Sequence, residues 1–159
     1  MERRNFLSMT LGALALAVVP ASVRAEDYRK LKPAVWSAHT VDDALNAMYG
    51  TTTLIEKGVK LKAAGETFDS GKKAVASSGG AIPVEFSTKI AAKTIAVFQD
   101  ANPEAAVCVF TIGKHDVTDY SIKIKMGKPG TITLVVEGQD GKLYGARQTL
   151  DVALGGCEG

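Results

Sequence analysis

Apolar residues occupy every second position through most of the second half of the chain. Ile82, Val84 and Phe86 alternate with polar or small neighbours, and the same period recurs from residue 94 onward. Successive side chains of a β strand point to opposite faces, so this period predicts strands with one buried face. Turn-forming residues separate the runs, at Ser78-Gly79-Gly80, Asn102-Pro103, Lys128-Pro129-Gly130 and Asp140-Gly141. Strands at this spacing predict a mainly β fold, an immunoglobulin-like antiparallel β-sandwich.

One run departs from the alternation, and one segment is helical in pattern. Residues 107–112 are apolar on both faces, which is typical of a strand that is covered on both sides. Residues 26–38 read as a polar lead-in. Thr40 and Asp43 then form a capping box before an apolar stripe, and Gly50 ends the segment. We therefore expect one short N-terminal helix ahead of the strands.

The first 25 residues have the pattern of an export signal. Arg3-Arg4 precedes a short apolar run, and Val23-Arg24-Ala25 fits a cleavage site. The paired arginines resemble a twin-arginine leader, and the apolar run is too short for a permanent membrane anchor. We expect residues 1–25 to be removed and the protein to be periplasmic. Removal of the leader removes three arginines and one glutamate, so the mature chain has 16 basic and 16 acidic residues. This balance argues against a nucleic-acid or membrane-surface role.

The motifs of most enzymes are missing from the sequence. There is no G-x-S-x-G, no Gly-rich phosphate loop and no C-x-x-C. His39 and His115 lack metal-ligand spacing, so we expect no metal and no cofactor. Lys123 and Lys125 are typical of the solvated face of a strand, and they could equally serve a partner interface.

The informative feature is a cysteine in a glycine-rich tail. After Leu154, at the end of the last predicted strand, come Gly155, Gly156, Cys157, Glu158 and Gly159. Glycine has wide backbone freedom, and three residues beyond Leu154 can span roughly 10 Å. A catalytic nucleophile needs fixed partners, whereas a narrow, flexible arm suits a thiol that is presented to the clefts of other proteins. We therefore interpret residues 26–154 as the domain and residues 155–159 as a carrier arm.

Two other interpretations of the cysteines stay open at this point. A Cys108–Cys157 disulfide would make the chain a non-catalytic β-sandwich binding module, although a cysteine in an apolar strand often acts as a small hydrophobe. A thiol oxidoreductase normally needs a resolving cysteine and a nucleophile of low pKa, which neither Glu158 nor the distant Cys108 favours.

Together, the leader, the helix near Thr40, the strands, the hairpin at Gly141–Tyr144 and Gly155-Gly156-Cys157 resemble the SoxY family of thiosulfate-oxidation carriers. The resemblance implies that Cys157 covalently bears sulfur from thiosulfate and that the chain is a carrier, not an enzyme. It also implies a heterodimer with a SoxZ-like β-sandwich partner. The enzymes implied are a c-type cytochrome, a sulfate-releasing hydrolase and, where present, a sulfur dehydrogenase.

The sequence departs from the family pattern at two positions. Glu158 stands where the family has glycine, and Cys108 is an additional cysteine. A carboxylate beside a thiol favours its protonated form, and Glu158 would also repel an anionic substrate such as thiosulfate. Compensating positive charge from partner enzymes or a variant pathway would each account for this departure.

Overall fold

The protein is represented by a computed structural model that describes residues 26–64, 66–67 and 74–153. The described part begins with three short helices, α1 (Tyr28–Leu31), α2 (Pro33–Trp36) and α3 (Val41–Tyr49). Nine strands follow: β1 (Val59–Ala63), β2 (Glu66–Thr67), β3 (Ala74–Ala76), β4 (Ile82–Thr88), β5 (Ala92–Gln99), β6 (Ala106–Thr111), β7 (Asp119–Ile124), β8 (Gly130–Gly138) and β9 (Leu143–Val152). None of the helices in this part has the length and apolar character to cross a membrane.

The strands form two sheets. One has the order β2-β1-β4-β7, and the other has the order β3-β9-β8-β5-β6. Neighbouring strands are antiparallel, except that β3 runs parallel to β9. The edge strands β6 and β7 follow each other along the chain, and Phe110 on β6 stacks on Tyr120 of β7 with ring centroids 4.7 Å apart. The two sheets therefore share one open side, formed by β6 and β7.

Two apolar cores make the molecule a three-layer structure. The first lies between the sheets and contains the alternating apolar residues of their inner faces, Leu61, Ile82, Val84, Phe86, Ile95, Val97, Ile124, Ile132, Leu134, Val136 and Leu150. The second lies between the helices and the outer face of the five-stranded sheet, and contains Val35, Leu45, Met48, Ala96, Phe98, Val135 and Leu143. Because this sheet is covered on both faces, every residue of β5 and β8 is buried or half-buried.

Helix α3 is bounded as the sequence predicts. The Thr40 hydroxyl accepts a hydrogen bond from the Asp43 backbone N–H at 3.1 Å, which satisfies one free donor of the first turn. Gly50 ends the helix in the left-handed conformation, with φ of 74°, which glycine adopts without steric cost. The stripe of Ala44, Leu45 and Met48 is buried against the sheet.

The mainly β two-sheet sandwich predicted from the sequence is confirmed, with two differences in detail. Residues 26–38 are not only a polar lead-in, because α1 and α2 occupy most of this segment. Asp27 caps α1 by accepting from the Arg29 N–H, and Pro33 begins α2 at a position where its missing N–H costs nothing. The parallel β3–β9 pair is the exception to the predicted antiparallel pairing.

Candidate functional site

The predicted carrier residues lie outside the described residues. Gly155, Gly156, Cys157, Glu158 and Gly159 all follow Ala153, the last residue that the structure describes. The roles assigned to them stay predictions, as does the export signal at residues 1–25. The structure instead defines the surface from which the tail starts.

The tail begins at a tightly held strand end. Val152, at the end of β9, is buried and pairs with Ala76 of β3, and the Ala153 N–H donates to the Ala76 carbonyl at 2.9 Å. Gly79 packs against this end so closely that a methyl group in its place would lie 2.9 Å from Val152 Cγ1. The chain is therefore fixed to the domain up to Ala153.

The turn between β7 and β8 packs on the other side of Gly79. A methyl group on Gly79 would also lie within 3.0 Å of the Met126 carbonyl oxygen, so only glycine allows the turn and the end of β9 to approach this closely. The Met126 N–H donates to the Gly79 carbonyl at 2.9 Å, and the Met126 side chain is almost fully buried. The turn is thus part of the rigid surface beside the first residue of the tail.

Asn102 connects this turn to the other sheet. Its amide nitrogen donates to the Lys125 carbonyl at 2.7 Å, and its amide oxygen accepts from the Gly127 N–H at 3.1 Å. Buried Gln99 in turn holds the Asn102 backbone, since its oxygen accepts from the Asn102 N–H at 2.7 Å. The sequence predicted only a turn at Asn102-Pro103. An amide that bonds both ways across two sheets has no signal in the sequence alone.

Two lysines project from the turn that Asn102 and Met126 hold. Lys125 and Lys128 are exposed, and neither has an ion-pair partner among the residues that the structure describes. Lys125 follows the end of β7, so the sequence interpretation of a solvated strand face holds for Lys123 but not for Lys125. Two carboxylates lie at the same end: the Asp100 carboxylate accepts from the Thr131 N–H at 2.6 Å, and Asp151 lies on β9 two residues before Ala153.

Cys108 lies on the edge strand β6, beside an irregularity in the pairing. Val97 pairs with Cys108 while Phe98 pairs with Ala106, so Val107 is the extra residue of a β-bulge. Cys108 is a half-buried free cysteine that packs against the core between the sheets. Burial raises the pKa of its thiol to about 11, although a hydrogen bond with the Val97 backbone acts in the opposite direction. Burial therefore lowers the thiolate fraction of Cys108 near neutral pH.

The register of the five-stranded sheet places Cys108 far from the start of the tail. Cys108 pairs with Val97, Val97 with Leu134 and Leu134 with Ala146, seven residues before Ala153. Three strand spacings and seven residues along β9 put Ala153 roughly 27 Å from Cys108. Four tail residues reach at most about 14 Å, and a disulfide allows about 7 Å more between Cα atoms. A Cys108–Cys157 bond within one chain would thus require the end of β9 to detach from β3.

The open side formed by β6 and β7 exposes part of the core. Phe86, Phe110 and Tyr120 form an aromatic cluster there, with ring centroids between 4.7 and 6.1 Å apart. Phe110 and Tyr120 are only half-buried, as are the apolar residues of β6. Apolar surface of this kind at a sheet edge is typical of a protein interface.

A cleft of about 530 Å³ lies between the helices and the sheet. At its wall, the Thr94 hydroxyl donates to Glu137 at 3.1 Å, so the Tyr49 hydroxyl, 3.1 Å from Thr94, is the donor to Thr94. Burial raises the pKa of the Tyr49 phenol. This chain of hydrogen bonds attaches the end of α3 to β5 and β8. It satisfies the polar groups of Tyr49, Thr94 and Glu137, a cluster that no sequence motif predicts.

The histidines and acidic residues form no metal site in the part of the chain that the structure describes. His39 is exposed and its Nδ1 lies 2.9 Å from the Pro103 carbonyl oxygen, while His115 is exposed in the loop between β6 and β7.

Comparison with known proteins decides the family. The family model for the sulfur oxidation protein SoxY matches residues 45–157. The chain belongs to the SoxY family. A solved structure of the sulfur carrier protein SoxY from Chlorobium limicola f thiosulfatophilum is similar to it, with 28% identity, a TM-score of 0.59, and coverage of 74% of this chain and 95% of that one. This similarity supports the sandwich fold and the resemblance stated from the sequence.

Weaker similarities add nothing about function. The superoxide reductase (neelaredoxin) from Ignicoccus hospitalis shares 14% identity, covering 61% of this chain and 81% of its own, at a TM-score of 0.49. A comparison with curated proteins gives no match.

Proposed function

We propose that this SoxY-family chain is an exported, periplasmic sulfur carrier that holds thiosulfate-derived sulfur covalently on Cys157 and presents it to the enzymes of thiosulfate oxidation. Its membership of a sulfur-oxidation family and its similarity to a structure described as a sulfur carrier support this proposal. The family match extends to residue 157, the position of the tail cysteine.

The state of Cys108 is the observation that carries the assignment to Cys157. The chain has two cysteines. Burial suppresses the thiolate of Cys108, and the register of the sheet keeps it beyond the reach of an extended tail. These observations favour Cys157 as the thiol that takes part in covalent chemistry, and they disfavour a structural disulfide between the two cysteines.

The carrier steps balance without any group from this domain acting as a catalyst. A thiolate and thiosulfate join through a new S–S bond as two electrons pass to a c-type cytochrome partner. Water then cleaves the bond to the sulfone group, releasing sulfate and two protons and leaving a persulfide on Cys157. A sulfur dehydrogenase, where present, would oxidise this remaining sulfur. Each step needs the thiol to enter another protein's site, and a tail that starts at the domain surface suits that task.

The direct test compares the two cysteines in a reconstituted thiosulfate-dependent reaction. We expect Cys157→Ser to abolish turnover and to leave the unfolding temperature unchanged. We expect Cys108→Ser to retain turnover but to lose about 1–3 kcal/mol of stability, because a hydroxyl replaces a thiol among apolar side chains. Intact mass of the native protein should show added sulfur or thiosulfonate only when Cys157 is present. Turnover by Cys157→Ser would refute the proposal.

Export by the twin-arginine route is part of the same proposal. The paired Arg3-Arg4 supports it. Replacing both arginines by lysine should sharply reduce the periplasmic protein, and the mature chain should begin at Glu26. Undiminished export of the double-lysine variant would rule out this route.

The proposed partner is a second small β-sandwich protein, similar to SoxZ, that pairs with β6. The Ile112 N–H donates to the Lys93 carbonyl, so the alternation of an antiparallel ladder directs the backbone groups of Val109 and Thr111 away from β5. Within the described residues, β6 has β5 as its only lateral neighbour. A partner strand would satisfy these groups and cover Phe110 and Tyr120.

Light scattering of the co-expressed pair should show one species of the summed mass. Val109→Pro removes one outward N–H without breaking a bond to β5, so the variant should lose the partner while its isolated domain stays folded by circular dichroism. Unchanged pairing by a folded variant would exclude β6 as the interface.

The remaining alternative is the non-catalytic β-sandwich binding module with a Cys108–Cys157 disulfide. Counting free thiols in protein recovered from the periplasm separates the two, because the module would have none and the carrier would have Cys108 free in every molecule.

A further inference from the structure

We propose that Lys125 and Lys128, on the turn between β7 and β8, form a docking site for this chain's own tail at Cys157–Glu158. The site would hold the acidic tip, and an anionic sulfur group when one is loaded, against the domain. The inference depends on the proposed carrier function only for the charge of the cargo.

The position of the turn is the first argument. A methyl group on Gly79 would lie within 3.0 Å of both the Met126 carbonyl oxygen and Val152 Cγ1, so the lysine turn lies directly beside the last residues before the tail. From Ala153, Cys157 is four residues away and can reach about 14 Å. A lysine side chain spans a further 6 Å or so, which brings both ammonium groups within reach of the tip.

The rigidity of the turn is the second argument. Three hydrogen bonds and a buried side chain hold Lys125–Gly127: two bonds to Asn102, one to Gly79, and the packing of Met126. Exposed lysines on a fixed turn lose little entropy from the backbone when they bind. A tail with a reach of about 14 Å also has a local concentration on the order of millimolar, so a weak interaction suffices.

Charge complementarity is the third argument. Lys125 and Lys128 have no ion-pair partner among the described residues. The two carboxylates at this end have interactions of their own, since Asp100 accepts from the Thr131 N–H and Asp151 also has a partner. Glu158 is the residue at which the sequence departs from the glycine of the family pattern. A carboxylate beside the thiol disfavours the thiolate, and nearby ammonium groups favour it. The lysine turn would thus offset Glu158 from within the same chain.

The test uses the mature chain with Cys108→Ala, which leaves one thiol. Alkylation of Cys157 by iodoacetamide, an uncharged reagent, is measured at pH 7 and low ionic strength. Lys125→Gln with Lys128→Gln should slow it about twofold, since the charges are exposed and partly screened, and 1 M NaCl should remove the difference. The matched control is Lys60→Gln with Lys89→Gln, exposed lysines at the opposite end of β1 and β4, which should have no effect.

A second measurement locates the tip directly. Carbodiimide coupling of the unmodified mature protein should join Glu158 to Lys125 or Lys128, identified by mass spectrometry, and not to Lys60 or Lys89. Coupling to both ends of the domain, coupling to neither turn lysine, or an unchanged alkylation rate would each overturn the docking site. Turnover by Cys157→Ser would instead refute the carrier function and leave these two measurements unaffected.

Discussion

Replacing Gly79 by alanine tests the close packing beside the tail. The added methyl group would lie within 3.0 Å of the Met126 carbonyl oxygen and 2.9 Å from Val152 Cγ1. The first neighbour is backbone, so the turn between β7 and β8 must move, and the hydrogen bond from Met126 N–H to Gly79 weakens. Overpacking costs about 1–3 kcal/mol and the weakened bond about 1 kcal/mol. Alanine also restricts the unfolded chain more than glycine does, which offsets about 0.4–1 kcal/mol of this loss of stability.

The net expectation for Gly79→Ala is a loss of about 2 kcal/mol, which lowers the unfolding temperature by roughly 6–10 °C for a domain of this size. Gly80→Ala is the matched control, because its nearest contact would be the Ser78 hydroxyl at an ordinary 3.6 Å. Neither glycine has a positive φ, so the pair differs in packing alone. Calorimetry of both variants measures the two unfolding temperatures. Equal unfolding temperatures would refute the packing described here.

Three further predictions concern the helix, the buried thiol and the tail. Thr40→Ala removes the cap that accepts from the Asp43 N–H, so denaturant unfolding should show a loss of about 1 kcal/mol with an unchanged m value; no change would mean that water replaces the cap. The pKa of Cys108 rises from 9.0 to about 11 on folding, so its contribution is complete below pH 9 and is lost as pH rises toward 11. Over that window the wild-type protein should lose more stability than Cys108→Ala, and parallel pH curves would contradict the burial argument. Replacing Gly155-Gly156 by Pro-Pro should lower turnover in the reconstituted reaction at an unchanged unfolding temperature, because proline restricts the approach of the thiol; equal turnover would show that the tail need not bend.

The strands and α3 could be predicted because their signals are local. The alternation at Ile82, Val84 and Phe86 and the capping box at Thr40 act within a few residues, and the structure confirms both. Helices α1 and α2 also carry local signals, at Asp27 and Pro33, that were missed because neither segment has a full apolar stripe. Gln148 is a polar residue on the buried, apolar face of β9. Its side-chain oxygen accepts a hydrogen bond from the Ala63 N–H at 3.0 Å, so this oxygen is not buried without a partner.

Features that depend on strand order could not be predicted from the sequence. The apolar run at 107–112 has the pattern of a central strand, yet β6 lies at the edge of its sheet. The hydrophobic period and composition of a segment indicate how deeply its side chains are buried, but they do not indicate which elements bury them. The surface of Lys125 and Lys128 beside the end of β9 likewise arises because Gly79 and Asn102 join segments far apart in sequence.

Strand order also resolves how a carrier can have two cysteines. A persulfide or thiosulfonate on Cys157 would be destroyed by a second thiolate that reached it, since attack on the sulfur yields a disulfide. Burial raises the pKa of the Cys108 thiol to about 11, so at pH 7 its thiolate is far scarcer than that of an ordinary thiol, which is a few per cent ionised. The register adds a separation of roughly 27 Å between Cys108 and the start of the tail. In the proposed carrier, the low thiolate fraction and the distance each protect the cargo, so Cys108 can remain on β6 without interfering with Cys157.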